Sequence, residues 1–159
     1  MPGFRIPGKE SLPSRRSSAL LAIGIGGFTA GILDLTAAFI SFGSAVPRAI
    51  AGGLLGPQAM KGGVPVYALG ILLHFFIALS AAAVYYAASR KLAFLREHFL
   101  VCGPFYGIAV YLVMNLIVLS LSAYHASRPL PRPEMIQGLL IHMVCIGLPI
   151  AYSVRRFAR

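Results

Sequence analysis

Four long runs of apolar residues, almost free of charge, constrain this chain more than any other feature. They cover residues 19–43, 64–89, 99–123 and 135–154. A helix needs about 20 mostly apolar residues to cross the hydrocarbon core of a bilayer, and each run has that reach. The runs are continuous and do not alternate in segments of about ten residues, so they predict helices rather than barrel strands. Composition agrees. The chain is 58% hydrophobic and only 11% charged, where soluble domains carry about 25% charged residues. It lacks the residues for a polar shell, so lipid is its expected solvent. The prediction is an all-α integral membrane four-helix bundle.

The net charge is +10. On a soluble fold that balance would suggest nucleic acid. Here the basic residues lie between the apolar runs, where they face lipid headgroups and set orientation. The expected partner is therefore the bilayer and not a nucleic acid. Arg5, Lys9, Arg15, Arg16, Arg90, Lys91, Arg96, Arg155, Arg156 and Arg159 fall on one side, against Arg48, Lys61, Arg128 and Arg132 on the other. Basic residues favour the cytoplasm, which predicts that both termini are cytoplasmic. Residues 1–18 read as a mobile basic tail and residues 155–159 as a short second one. The first run is longer than a signal-peptide core and is read as a span, although Gly43-Ser44-Ala45 would pass as a cleavage site.

Between the first two spans, Ser44 is expected to cap a short amphipathic helix over Val46–Leu55. Its Ile50, Leu54 and Leu55 would lie on the outer leaflet, with Arg48 and Lys61 at the headgroups. Gly56-Pro57 and Gly62-Gly63 then break the chain. Ser127 to Glu134 favours extended polyproline geometry. Tyr85, Tyr86, Tyr106, Tyr124 and Tyr152 sit near span ends, as interfacial aromatics do. Cys102 and Cys145 lie inside apolar runs without metal-ligand spacing and read as small buried hydrophobes.

Each span carries one conspicuous polar residue: Asp34, His74, Asn115 and His142. Counted from the outer ends at about 1.5 Å per residue, they fall within roughly 5 Å of one depth. Their helical neighbours are rich in small residues, including Gly27, Ala30 and Gly31 beside Asp34, and Gly70 and Ala78 beside His74. Small residues let membrane helices approach closely, so the polar groups are expected to point into the bundle as one layer. Gly27–Gly31 and Gly103–Gly107 both fit a GxxxG pattern. A charged Asp near mid-bilayer costs about 2.5–3.5 kcal/mol on insertion scales. Either a proton neutralises Asp34 or a cationic histidine pairs with it. Adjacent antiparallel spans bring equal depths together, so the expected partner is His74. Pro149 frees the Cys145 carbonyl and is expected to kink the last span.

The segments GILDLTAAF, GLLGPQAMKGG, LHFFIALSAAAVYY, YGIAVYLVMNLIVLSLSA and QGLLIHMVCIGLPIAYSVRR together resemble a family of uncharacterised small four-span bacterial inner-membrane proteins. The resemblance covers roughly residues 24–156. Through the histidine-containing second and last spans, the chain is also distantly similar to membrane proteins linked with acid resistance. The resemblance implies four spans and a bacterial inner membrane, and supplies no catalytic residue or ligand.

Three readings are open on these residues. The interior layer of Asp34, His74, Asn115 and His142 handles a proton, an ion or a small polar solute, in a monomer or a homo-oligomer. Alternatively the layer only specifies helix pairing, in a scaffold or accessory subunit with a membrane-protein partner. The weakest option makes His74 and His142 the ligands of a haem or a metal. No nucleophile–base motif or phosphate loop occurs, so neither an enzyme nor a bound cofactor is the first expectation. Two outcomes are expected of the intact chain. It should leave the membrane only with detergent, and reporters fused to either terminus should both read the cytoplasmic side.

Overall fold

The computed structural model describes residues 15–123 and 132–158. Among them every regular element is helical. In chain order these are α1 (Arg15–Phe42), α2 (Val46–Leu55), a single 3-10 turn (Pro57–Lys61), α3 (Val64–Lys91), the short α4 (Phe94–Glu97), α5 (Phe99–Leu121) and α6 (Arg132–Phe157). Helices α1, α3, α5 and α6 are long and apolar enough to cross a bilayer, which makes this an integral, multi-pass membrane protein.

Local chemistry sets the helix ends. Gly43 stops α1 with φ of 76°, a left-handed conformation that costs a glycine little. Pro65 opens α3 at its first turn, where the missing N–H is no loss. Arg90 and Lys91 close α3, and Arg155 and Arg156 close α6, each facing the negative end of a helix dipole. Four sequence expectations need correction here. Ser44 does not cap α2: Ala45 holds the cap position and makes no side-chain cap bond. Arg15 to Ser18 belong to α1, and Arg155 to Phe157 to α6, rather than to tails. Tyr85 and Tyr106 are not interfacial. Their hydroxyls donate to the carbonyls of Leu95 and Ala81, which lets both rings turn inward. The tail reading of residues 1–14 and the polyproline reading of residues 127–131 lie outside the described residues.

Helix α1 lies between α3 and α6, and α6 packs on α5. The closest approaches are made by glycines. A β-carbon on Gly27 would sit 2.8 Å from the Cα of Leu79, and one on Gly31 would sit 2.8 Å from the Phe75 ring. Both residues of the other GxxxG pair, Gly103 and Gly107, press against the backbone of α6 at Gly147 and at His142 and Met143. Gly70 presses likewise on the Pro47 carbonyl and seats α2 against α3. The α3–α5 seam is looser. Tyr106 bridges it through its 2.6 Å bond to the Ala81 carbonyl and an edge contact with Tyr85 at 4.8 Å. Two apolar grooves, of about 580 and 460 Å³, open along this seam.

The two ends of the bundle are built differently. Towards the termini, Ala22, Ala82, Tyr85, Ile150, Ala151 and Val154 form a core with essentially no accessible surface. The buried Ser153 hydroxyl donates to the Ala22 carbonyl at 2.9 Å and ties α6 to α1. The Arg96 guanidinium donates to the Ala158 carbonyl at 2.9 Å, and that of Arg155 lies 4.5 Å from the Phe99 ring centroid. Towards the loops, packing gives way to a cavity roofed by α2. Ala123 N–H donates to the Gly53 carbonyl at 2.8 Å and pins the roof to α5. Arg48 reaches back to the Gly62 carbonyl at 2.8 Å.

Overpacking of an interior contact costs about 1–3 kcal/mol. Gly107→Ala should therefore lower the unfolding free energy of the detergent-solubilised chain by about that much, because the added methyl meets the His142 carbonyl and Met143. Gly24→Ala meets nothing within 4 Å. It should leave stability unchanged or raise it by up to about 1 kcal/mol, the usual gain of alanine over glycine in a helix. Thermal unfolding of the two variants side by side checks both.

Candidate functional site

Each spanning helix sends one polar side chain to the loop-end cavity. Asp34 comes from α1, His74 from α3, Asn115 from α5 and His142 from α6. The cavity holds about 340 Å³. Apolar side chains, among them Ile77, Val110 and Ile146, form most of its wall, and Val46 and Ile50 of α2 form its roof. Asp34 faces inward, its side chain keeping 15% of its accessible surface. The layer read from helical spacing thus corresponds to a chamber in space.

The helices that deliver two of these groups depart from α-geometry where the groups sit. Met114–Val118 of α5 and His142–Gly147 of α6 are π-helical, and they carry Asn115 and His142. A π-segment inserts a residue and rotates the side chains that follow it, and such segments concentrate at functional sites. In α6 the cause is legible. Pro149 has no N–H, and its ring crowds the carbonyl four residues back, which belongs to Cys145. The wider turn before it relieves that conflict. Gly147 at its end lets α6 meet the Gly103 carbonyl of α5 without a side chain between them.

Hydrogen bonding within the chamber is mostly to backbone. His74 Nε2 lies 2.9 Å from the Gly31 carbonyl, and His142 Nδ1 lies 2.9 Å from the Gly138 carbonyl. A carbonyl oxygen only accepts, so each of these nitrogens carries the proton. Asn115 Nδ2 donates to the Tyr111 carbonyl at 2.9 Å. The Tyr111 ring, itself buried, meets the His142 imidazole edge-on at 5.3 Å. Asp34 has no hydrogen bond from any described residue.

The expected Asp34–His74 pair does not form. The imidazole nearest the carboxylate belongs to His142, with Nδ1 4.0 Å from Asp34 Oδ1. Equal depth was the right criterion for bringing four groups together and the wrong one for choosing among them. The side-chain direction of α3 aims His74 at the α1 backbone one turn before Asp34, where the Gly31 carbonyl is uncovered by any side chain of its own residue. Cys145, three residues past His142, also lies within electrostatic reach of the carboxylate. Among the described residues no group of three or more His, Cys, Asp and Glu is placed to hold a metal ion.

One polar contact at the loop end escaped the sequence reading. Gln137 Nε2 of α6 donates to Ser41 Oγ of α1 at 2.8 Å. Both residues lie within a turn of a span end at matching depth, and that coincidence is the signal that would have found them. No protein-family model, curated protein or solved structure matches this chain.

Proposed function

We propose that the chain is a membrane protein whose loop-end chamber binds a proton, an ion or a small polar solute, with Asp34 as the group that carries the charge and His142 as its neighbour. One observation carries this reading. Four polar side chains, one from each span, line a single chamber, and the only carboxylate among them has no hydrogen-bond donor among the described residues. A clamp that merely paired helices would be expected to satisfy its own donors and acceptors, as Ser153 and Tyr106 do. Ionisable groups inside membrane bundles commonly mark ion and proton pathways. The close-packed core below the chamber supports a site loaded from one side rather than an open pore.

We propose a bacterial inner membrane as the setting, on the sequence resemblance, with both termini cytoplasmic, on the distribution of basic residues. The chamber would then face the outer side. The role proposed is binding or relay, with Asp34 and His142 as the groups that carry it.

The test uses the intact chain in detergent. Infrared difference spectra taken across a pH titration should show carboxyl C=O stretches grow on acidification, one of them from Asp34 beside those of the glutamates such as Glu97 and Glu134. The Asp34 band is the one that should vanish in Asp34→Asn, a change that keeps shape and hydrogen-bonding capacity. In proteoliposomes, whatever proton or ion movement the chain supports should fall by about 10-fold or more in the same variant, as expected when a charge-assisted hydrogen bond of roughly 1.5–3 kcal/mol is removed. If the band is absent and Asp34→Asn moves neither readout, the polar layer is structural.

A further inference from the structure

We infer that the chamber takes a small cation rich in N–H donors, ammonium or a short primary alkylammonium; this rests on the reading of the chamber as a ligand site. The argument is an inventory of what the four polar side chains still offer once their backbone bonds are counted. His74 spends its Nε2 proton on Gly31, which leaves the neutral ring with a lone pair on Nδ1. His142 spends its Nδ1 proton on Gly138, which leaves a lone pair on Nε2. Asn115 fixes its amide nitrogen on Tyr111, which leaves Oδ1 to accept. Asp34 offers two carboxylate oxygens. Among the described residues, the one nitrogen of a basic side chain within 4.0 Å of them is His142 Nδ1, with its proton directed at Gly138.

Acceptors therefore dominate the chamber. Its formal charge with both imidazoles neutral is negative, and no Lys or Arg is among the described residues that line it. The nearest guanidinium in sequence, that of Arg48, is held by the Gly62 carbonyl and lies over the Tyr67 ring, 5.4 Å from its centroid. An anion would meet a carboxylate and lone pairs. A divalent metal would lack its ligand cluster among the described residues. A quaternary ammonium has no N–H to give and is recognised by aromatic faces, but Phe42 is the only benzene ring among the described residues of the lining. An ammonium group supplies three or four donors and one positive charge, which complements the set. Ile77, Ala78, Ala81 and Ile146 give a short alkyl tail an apolar wall. The volume, about 340 Å³, lies at the small end of the range for ligand sites.

Thermal unfolding of the intact, detergent-solubilised chain tests this at fixed pH and ionic strength. The probes are ammonium, methylammonium and n-butylammonium chlorides, with sodium and tetramethylammonium chlorides as controls. The N–H cations should give a saturable rise in Tm, about 5–10 °C at ~100-fold over Kd, and the controls should give none. Ranking the three probes separates ammonium from an alkylammonium. Asp34→Asn and, separately, Asn115→Leu should each weaken the apparent Kd by about 10-fold or more. An equal shift from tetramethylammonium or sodium overturns the inference, as does no saturable shift from any probe, or a response that survives both substitutions. A chain that shows the Asp34 infrared band yet ignores every amine loses this inference and keeps the chamber as a proton site. A chain that shows neither loses both.

Discussion

In hydrocarbon there is no water to complete a hydrogen bond, so every polar atom of a spanning segment must find its partner inside the protein. This constraint organises the whole bundle. The backbone meets it by staying helical. Interior side chains meet it by returning to backbone carbonyls: Ser153 to Ala22, Tyr106 to Ala81, Tyr85 to Leu95 and His74 to Gly31. Each such bond crosses between elements, so satisfying the atom also fixes how two segments sit together. Asp34 breaks the pattern, and it does so inside the loop-end chamber.

Close backbone approach is what leaves room for that chamber. Gly27 and Gly31 draw α3 onto α1, and Gly103, Gly107 and Gly147 draw α5 onto α6. Beside these contacts, the volume left between the helices is lined by the polar groups. The π-segments belong to the same design. A regular helix through His142 and Pro149 would set the proline ring against the Cys145 carbonyl. The wider turn accommodates it and places the His142 imidazole beside Asp34.

Much of this was legible in the sequence, and the reasons differ from element to element. The four spans could be read because apolar runs of this length have few alternatives. The convergence of Asp34, His74, Asn115 and His142 could be read from depth and from the small residues around them. The choice of partner for Asp34 could not. It depends on the rotation of each helix about its axis, and the π-segments alter that rotation without any repeating residue pattern to announce them. Tyr85 and Tyr106 were misread for a related reason. Distance from a span end says where an aromatic ring sits along the membrane normal, but not whether a carbonyl inside the bundle is free to accept its hydroxyl.

The roof of the chamber is a separate short rod joined to the spans by two elbows. Gly43 at one end and Gly56 at the other hold φ of 76° and 84°, and at Gly56 the accompanying ψ of −175° is a combination open essentially to glycine alone. Such joints have little preferred direction of their own. The position of the rod is therefore set by what it touches: the Gly70 surface of α3 beneath it and the Ala123–Gly53 bond at its side. Access to Asp34 is in consequence a property of the first loop, tunable there without disturbing the transmembrane scaffold.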